Sequence, residues 1–241
     1  MRRLWVIVLV GLGACSAQTS EVSTSSSEIP TTTQAAVTTT TLPERCKTDR
    51  DLEKANLSGC DLRGLELNTR YLRGADLSGA NLTGTNLRGA DLKDAIFNNS
   101  ILVGADLREA SLEGAQFFGA DLTDADLSSV QIPNKDNVEY GTRSDIYISS
   151  VYFMEAKLVR VKFIEANLSG ASFQASDMTG ADFLAANLAN SIWGANKVSG
   201  TSFDYADLTR AYLCCMDLTG VDFSSAKVKG ATFNEVTGYT P

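Results

Sequence analysis

An apolar residue recurs at every fifth position along most of the chain, first from Leu52 to Ile132 and again from Ile148 to Phe233. A strand repeats about every two residues and an α-helix about every 3.6, so neither would hold these side chains on one face. The chain is therefore predicted to turn after every repeat, with each short extended segment pointing its apolar side chain inward.

The positions around each apolar residue explain the predicted turn. In Ala75-Asp76-Leu77-Ser78-Gly79, a small residue lies two positions before the leucine, an Asp one position before it and a Gly two positions after it. Leu and Ala, two residues apart, point the same way in an extended segment, whereas Gly and Asx favour positive φ and turns closed by side chains. Each repeat therefore supplies two inward side chains and one corner.

This A-(D/N)-(L/F)-x-G pattern resembles the pentapeptide-repeat family, and the resemblance covers most of the chain. It implies an all-β fold, a right-handed quadrilateral β-helix in which four repeats, or twenty residues, form one coil. The 35 apolar centres would then form about eight coils, stacked about 4.8 Å apart.

Aromatic residues of the second block recur every ten residues, which independently favours four repeats per coil. Residues ten apart would lie on opposite sides of a coil, and rings twenty apart would stack from coil to coil. Two facing columns are predicted, one of Phe153, Phe173, Trp193 and Phe233 and one of Phe163, Phe183, Phe203 and Phe223. Phe97 and Phe117 in the first block fit the same rule.

Residues 133–147 interrupt the repeats, because they lack the inward pair and are rich in turn formers. Ile132 and Phe153 are 21 residues apart, one more than a coil, so the register is predicted to slip by one residue. The segment is interpreted as a protruding loop or an irregular coil side. It is a candidate recognition loop, although a tolerated insertion without a function is the simpler explanation. Its candidate contact residues are Asn134, Lys135, Asp136, Glu139, Tyr140, Arg143 and Asp145.

Asn196 stands in an inward column that is normally occupied by Ala. Buried polar groups are almost always hydrogen-bonded. A local bulge or a buried hydrogen bond is therefore favoured over a ligand site at this position.

The cysteines beyond the leader form two pairs. Cys60 occupies an inward position near the first coil, and Cys46 precedes the repeats, where a cap is needed. A Cys46–Cys60 disulfide would fasten that cap in an oxidising compartment, and the alternative is that Cys60 is a small core residue. Cys214 and Cys215 lie at a corner, where a vicinal disulfide would be strained. Metal binding is not expected from two thiols in a chain without His.

The first fifteen residues predict where the protein resides. Arg2 and Arg3 form a short basic region, residues 4–10 are apolar but too few to span a bilayer, and Leu12-Gly13-Ala14-Cys15 follows. This resembles a bacterial lipoprotein signal, residues 1–14, and the resemblance implies cleavage after Ala14 and lipidation of Cys15. The alternatives are a secretory signal cut elsewhere and an uncleaved anchor. A lipidated Cys15 would hold the protein on the bacterial cell membrane or the outer membrane, outside the cytoplasm, without a transmembrane helix.

Residues 15–44 are rich in Ser and Thr and poor in apolar residues. Such a segment cannot bury enough surface to fold, so it is predicted to be a disordered tether. The predicted order is then signal peptide, tether, first block at 45–132, loop at 133–147, second block at 148–233 and a tail at 234–241.

Charge and composition exclude several functions. The net charge is −8, which argues against binding nucleic acid through a basic patch. The chain has no His, no Gly-rich phosphate loop and no nucleophile elbow, so no enzyme, cofactor or metal site is predicted. A β-helix enzyme acting on polysaccharide would need a distinct pair of carboxylates. Here the acids recur with the repeat, and no pair stands out.

The sequence therefore predicts a non-enzymatic, lipid-anchored extracytoplasmic scaffold or protein-binding module. Its partner would be a protein or another component of the cell envelope. The family resemblance suggests an alternative, because some members mimic the charge of duplex DNA and block type II topoisomerases. That function requires a cytosolic protein, which the leader argues against. Val236 and Tyr239 are the candidates to cover the last coil, and poorly covered ends can pair, so the oligomeric state is left open.

Overall fold

The computed structural model describes Cys46, residues 51–131 and residues 151–239. The chain divides into two units, Met1–Thr40 and Thr41–Pro241, and every described residue belongs to the second unit. The predicted leader, tether and loop lie outside the described residues.

Each turn of the chain takes twenty residues, because residues twenty apart pair in parallel from coil to coil. Bridges join Asn56 to Asp76, Asp76 to Ile96 and Ile96 to Gln116. Backbone hydrogen bonds accompany them, since the N–H of Leu77 donates to the carbonyl of Ile96 at 2.7 Å. The described part of the chain is therefore a β-helix of stacked parallel rungs.

Most rungs are single bridges, but three consecutive rungs lengthen into strands. These are β1 (Ile192–Gly194), β2 (Tyr212–Cys214) and β3 (Thr232–Asn234). They form a parallel sheet in the order β1-β2-β3, in which Trp193 pairs with Leu213 and Leu213 with Phe233. Within the described ranges there is no α-helix, and hence none that is long and apolar enough to cross a bilayer.

The corner between two repeats is a hydrogen-bonded turn. After Leu77, the N–H of Ala80 donates to the Leu77 carbonyl at 3.0 Å, and Gly79 has a φ of 65°. Glycine suits this third position of the turn because it has no Cβ to clash at positive φ. The carboxylate of Asp76 accepts a hydrogen bond from the N–H of Ser78 at 3.0 Å, which braces the same corner. The roles predicted for Gly and Asx are thus confirmed.

The apolar centres fill the interior, and every described centre from Leu52 to Leu218 is buried. The two predicted aromatic columns are confirmed. Phe153 and Phe173 stack with ring centroids 5.3 Å apart, and Phe163 and Phe183 stack at 4.7 Å. Rings from the two columns meet edge to face, as Phe163 and Phe173 do at 6.2 Å.

The interruption between the blocks is larger than a slip of one residue. Gln116 pairs with Tyr152, so partners across the insertion are 36 residues apart instead of twenty, and the insertion adds sixteen residues. Sixteen residues equal three five-residue repeats plus one residue, so the apolar positions after the insertion are displaced by one. This displacement is all that the sequence pattern reveals. The one-residue slip predicted from the repeat phase is therefore the remainder of a longer insertion. Phe153 stacks on Phe117 with centroids 4.9 Å apart, and the ladder is continuous across the insertion.

The two ends of the repeat region are covered differently. At the first coil, Cys46 and Cys60 form a disulfide with Cα atoms 5.6 Å apart, and Cys46 is buried. At the last coil, the ring of Tyr239 stacks on Phe233 with centroids 3.9 Å apart and meets Phe223 edge to face at 5.8 Å. Tyr239 therefore covers the end of the aromatic columns, as its position in the sequence suggested.

Candidate functional site

From its third rung onward, one column of repeats presents an uncharged surface, which we call the neutral face; the first two rungs, at Leu57 and Leu77, are left out because Asp76 beside Leu77 is charged. Its centres are Phe97, Phe117, Phe153, Phe173, Trp193, Leu213 and Phe233. The residues immediately before and after each centre are directed outward, because side chains alternate along an extended segment, and among them only Ser172 is buried. None of them carries a charge; they are Ile96, Asn98, Gln116, Phe118, Tyr152, Met154, Ser172, Gln174, Ile192, Gly194, Tyr212, Cys214, Thr232 and Asn234.

The neutral face is continuous from coil to coil. Parallel bridges link Ile96 to Gln116, Gln116 to Tyr152, Tyr152 to Ser172 and Ser172 to Ile192, and strands β1 to β3 extend the series. Seven rungs take part. At a rung spacing of about 4.8 Å they span roughly 30 Å.

Several outward side chains of this face are apolar and accessible. Phe118 and Tyr212 are each 42% exposed. Tyr152, Met154 and Ile192 are half-buried. Aromatic rings in this state offer a large contact area, and amide and hydroxyl groups between them can donate and accept hydrogen bonds. At the corners of the neutral face only two residues are charged, Glu155 and Glu235.

Each of the other three columns carries charged side chains, although the column of Leu112 is uncharged at Gln131, Asn167 and Asn187. The column that follows the neutral face presents, in consecutive coils, Asp121, Lys157, Asp177, Lys197 and Asp217. Cations meet carboxylates of the neighbouring coil, since Lys157 Nζ lies 3.0 Å from Asp121 Oδ2 and Lys197 Nζ lies 3.4 Å from Asp177 Oδ2. Exposed pairs of this kind stabilise a fold only slightly. They do balance the charge locally.

A bidentate ion pair crosses the insertion. The guanidinium of Arg160 donates hydrogen bonds of 2.6 and 2.7 Å to the carboxylate of Asp124. These bonds hold the pKa of Asp124 below its usual value. Burial alone would raise the pKa of Asp121. Hydrogen bonds from Thr123 and Lys157 outweigh burial, so the pKa of Asp121 is also lowered. Both acids are therefore ionised and tied to neighbours at neutral pH.

The corners of the neutral face change at the insertion. Before it, the N–H of Ala120 donates to the Phe117 carbonyl at 3.2 Å and closes the turn. After it, side chains accept instead: Ala156 N–H donates to Ser176 Oγ at 3.2 Å, and Ser176 N–H donates to Asn196 Oδ1 at 2.9 Å. The buried hydrogen bond favoured for Asn196 is thus confirmed. Its Nδ2 is buried and has no hydrogen-bond partner among the described residues.

The profile of the family "Pentapeptide repeats", in eight copies, matches residues 71–108, 100–132, 156–192 and 199–237. These ranges cover more than half of the chain. The chain belongs to the pentapeptide-repeat family. The repeating centre, the Asx before it and the corner after it are thus properties that it shares with the family.

Solved structures of pentapeptide-repeat proteins agree on the fold. Trypsin-treated QnrB1, a plasmid-mediated fluoroquinolone resistance protein, is 21% identical over 71% of this chain and 78% of its own, with a TM-score of 0.60. HetL, a pentapeptide repeat protein involved in heterocyst differentiation regulation from the cyanobacterium Nostoc sp. strain PCC 7120, is 24% identical over 73% of this chain and 81% of its own, with a TM-score of 0.53. These likenesses establish a right-handed β-helix. No curated protein matches the chain significantly.

A group of three potential ligands lies near the last coils of this pentapeptide-repeat protein. Cys214 and Cys215 are joined as a vicinal disulfide, and Cys215 Sγ lies 3.6 Å from Glu235 Oε2. The three ligand atoms lie within 4.8 Å of one another. Sequence reasoning considered the two thiols alone and missed Glu235, which is twenty residues from Cys215 and becomes its neighbour only through the pairing of coils.

The remaining predicted site residues lie outside the described part of the chain. They are Cys15 and the candidate loop residues Asn134, Lys135, Asp136, Glu139, Tyr140, Arg143 and Asp145. The described chain resumes at Val151, next to Tyr152 of the neutral face. The insertion therefore separates Gln131, in the column of Leu112, from Tyr152 of the neutral face, a relation that the sequence pattern did not reveal.

Proposed function

We propose that this pentapeptide-repeat protein is a non-enzymatic, lipid-anchored extracytoplasmic module that binds a partner protein through the neutral face. The observation that carries the proposal is an uncharged surface of seven rungs, with Phe118 and Tyr212 each 42% exposed, on a molecule whose other columns carry charged side chains. Cores of protein interfaces are depleted in charge and enriched in aromatic residues.

The partner that fits this face presents an uncharged surface of apolar and amide groups. A charged partner would gain no ion pair on the neutral face and would lose part of its hydration there.

We further infer a quadrilateral β-helix of about eight coils. Four repeats fit in each twenty-residue turn, and each repeat ends in a corner. The 33 apolar centres among the described residues correspond to about eight such turns.

The lipid anchor at Cys15 and the position outside the cytoplasm rest on the sequence of residues 1–44. A lipidated Cys15 followed by a tether would hold the β-helix away from a bacterial cell membrane or an outer membrane. Labelling with a palmitate analogue tests this part, and we expect the label on the wild type but not on Cys15→Ala. Equal labelling of both forms would refute lipidation at Cys15.

Two observations support a function other than catalysis or DNA mimicry. Every shifted carboxyl pKa among the described residues is lowered, as at Asp106, Asp121 and Asp124, whereas a general acid needs a raised pKa. A DNA mimic that blocks a type II topoisomerase needs rows of free negative charge. Here Lys157 and Lys197 interrupt a row of carboxylates and form ion pairs with Asp121 and Asp177 of that row.

Site-specific photo-crosslinking in cells tests the binding face. A photoreactive phenylalanine analogue at Phe118 is compared with the same analogue at Ile101, which is also 42% exposed but lies on a charged column. We expect one discrete protein adduct from position 118 and none from position 101. Adding Tyr212→Glu should abolish the adduct, because it places a charge on the same face, four rungs from the rung of Phe118. Equal adducts from both positions, or an adduct that survives Tyr212→Glu, would contradict the proposal.

A further inference from the structure

The pairing of coils fixes the position of Glu235 beside the vicinal cysteines. Cys214 pairs with Asn234, and the N–H of Cys215 donates to the Asn234 carbonyl at 3.0 Å. The next residue along, Glu235, therefore lies directly beside Cys215, with its Oε2 3.6 Å from the Cys215 sulfur. Cys214 is half-buried and the other two residues are exposed, so the group is open to solutes.

This ligand set occurs once along its column. The corner residue that corresponds to Cys215 is Ala175 two coils earlier and Ala195 one coil earlier. Glu155 occupies the equivalent corner just after the insertion, without a thiol beside it. The two sulfurs and the carboxylate are therefore a departure from the repeat and are not a consequence of it.

Two thiolates and a carboxylate suit a thiophilic divalent metal ion. Zn²⁺ binds Cys sulfur and carboxylate oxygen in tetrahedral sites, and three protein ligands leave a fourth position for water. Soft thiolate ligands favour zinc over magnesium or calcium. The carboxylate is already close, since Glu235 Oε2 lies 3.6 Å from Cys215 Sγ. The two sulfurs are bonded to each other in the disulfide, and on reduction they need only separate to the roughly 3.8 Å that two tetrahedral Zn–S bonds of about 2.3 Å require.

We propose that Cys214, Cys215 and Glu235 form a redox-controlled Zn²⁺ site. In the disulfide form both sulfurs are bonded to each other, and neither is a thiolate ligand. A dithiol reductant transfers two electrons and two protons to the disulfide, which becomes two thiols, while the reductant becomes a disulfide. Zn²⁺ then displaces the two thiol protons and binds both thiolates and the carboxylate. This site is independent of the proposed partner protein, although Cys214 belongs to the neutral face.

Zinc titration of the full-length protein in two redox states tests the proposal. Zn²⁺ is added against a chromophoric competitor, to the oxidised protein and to protein reduced with a phosphine and kept under argon. We expect one Zn²⁺ per chain in the reduced form and none in the oxidised form. Glu235→Gln should weaken zinc binding by at least about tenfold. Loss of a residue that only hydrogen-bonds to a metal ligand already costs about that much, and loss of a ligand should cost no less.

Matched variants separate this site from other thiols and acids. Glu155→Gln changes the equivalent corner and should leave zinc affinity unchanged, and Cys214→Ser with Cys215→Ser should remove binding while Cys46 and Cys60 are retained. Circular dichroism of each form verifies that the β-helix is intact. Zinc bound by the double variant, by the oxidised protein, or equally well by Glu235→Gln would overturn the three-ligand site, as would a folded, reduced protein that binds none.

Discussion

The column of repeats that carries the neutral face is built differently on the two sides of the insertion. Before it, backbone carbonyls close the corners, as Leu77 does for the N–H of Ala80 at 3.0 Å. After it, the side chains of Ser176 and Asn196 accept the corresponding N–H groups. A corner of the pentapeptide repeat can therefore open, provided that the inward residue changes from alanine to one with a hydrogen-bond acceptor.

The interiors of the two blocks also differ. Leucine dominates the centres of the first block, whereas two aromatic columns stack through the second. The largest fully buried side chain is Trp193, which lies in the second block and donates from Nε1 to Ser191 Oγ at 2.6 Å. The second block thus depends on a few large side chains, and the first on many equivalent smaller ones.

Truncating a centre in each block should show this difference most strongly. Trp193→Ala is expected to cost about 5 kcal/mol of unfolding free energy, and Leu77→Ala, in the same column, about 3 kcal/mol, because the larger side chain leaves the larger cavity. Urea denaturation followed by circular dichroism measures both. Equal losses would contradict the view that the second block depends on a few large side chains.

The two ends should also differ in how much they contribute. Cys46→Ser is expected to cost about 3 kcal/mol, because the disulfide closes a loop of 14 residues in the unfolded chain. Tyr239→Ala should cost about 2 kcal/mol, since it removes two ring pairs, with Phe233 and Phe223, from a partly exposed end. Thermal unfolding without reductant measures both, and reductant added to the wild type should reproduce the effect of Cys46→Ser. Insensitivity to reductant would contradict this view of the first coil.

The open corner can be tested with two serines from one column. Ser176→Ala removes the acceptor of the Ala156 N–H, and leaving that buried group without a partner should cost about 2 kcal/mol. Ser100→Ala is the control, because Ser100 Oγ donates to the Phe97 carbonyl as Ser176 Oγ does to the Phe153 carbonyl, but the corner at Ser100 is closed by the backbone. It should cost about 1 kcal/mol or less. Chemical denaturation measures the loss of unfolding free energy in both variants. Equal losses would refute the role given to the Ser176 hydroxyl.

Acid should loosen the junction between the two blocks slightly. The pKa of Asp124 is lowered by Arg160, so the pair stabilises the fold above the ordinary Asp value of 3.8 and loses this effect as pH falls below it. Asp124→Asn should therefore lower the melting temperature a little at pH 7 and have no effect at the acid end of a pH series. A difference that persists at low pH would show that the carboxylate charge is not its cause.

The local features of the fold could be predicted from the sequence because the same residue pattern occurs in every repeat. An apolar centre, an Asx and a Gly define an inward side chain and a corner, and neither depends on distant parts of the chain. The sulfur pair of Cys46 and Cys60 could be proposed for the same reason, since both lie near the first coil.

The candidate sites escaped sequence reasoning because they depend on which coils are neighbours. The repeat phase reveals the length of an insertion only within multiples of five, so it could not place Tyr152 beside Gln116. Without that pairing, the uncharged residues of the two blocks do not form one face. Glu235 was missed for a similar reason, because its proximity to Cys215 arises only from coil stacking.

The hydrogen bonds between residues twenty apart also determine how the protein would respond to mechanical force. These bonds run along the axis of the β-helix, so a pull on the two ends acts on a few of them at a time. Each coil that detaches releases twenty residues, or about 70 Å of extended chain. We therefore expect a force-extension record of small, regular steps, with the leucine-lined block yielding at lower force than the aromatic one. The molecule would act as an extensible spacer that absorbs tension gradually.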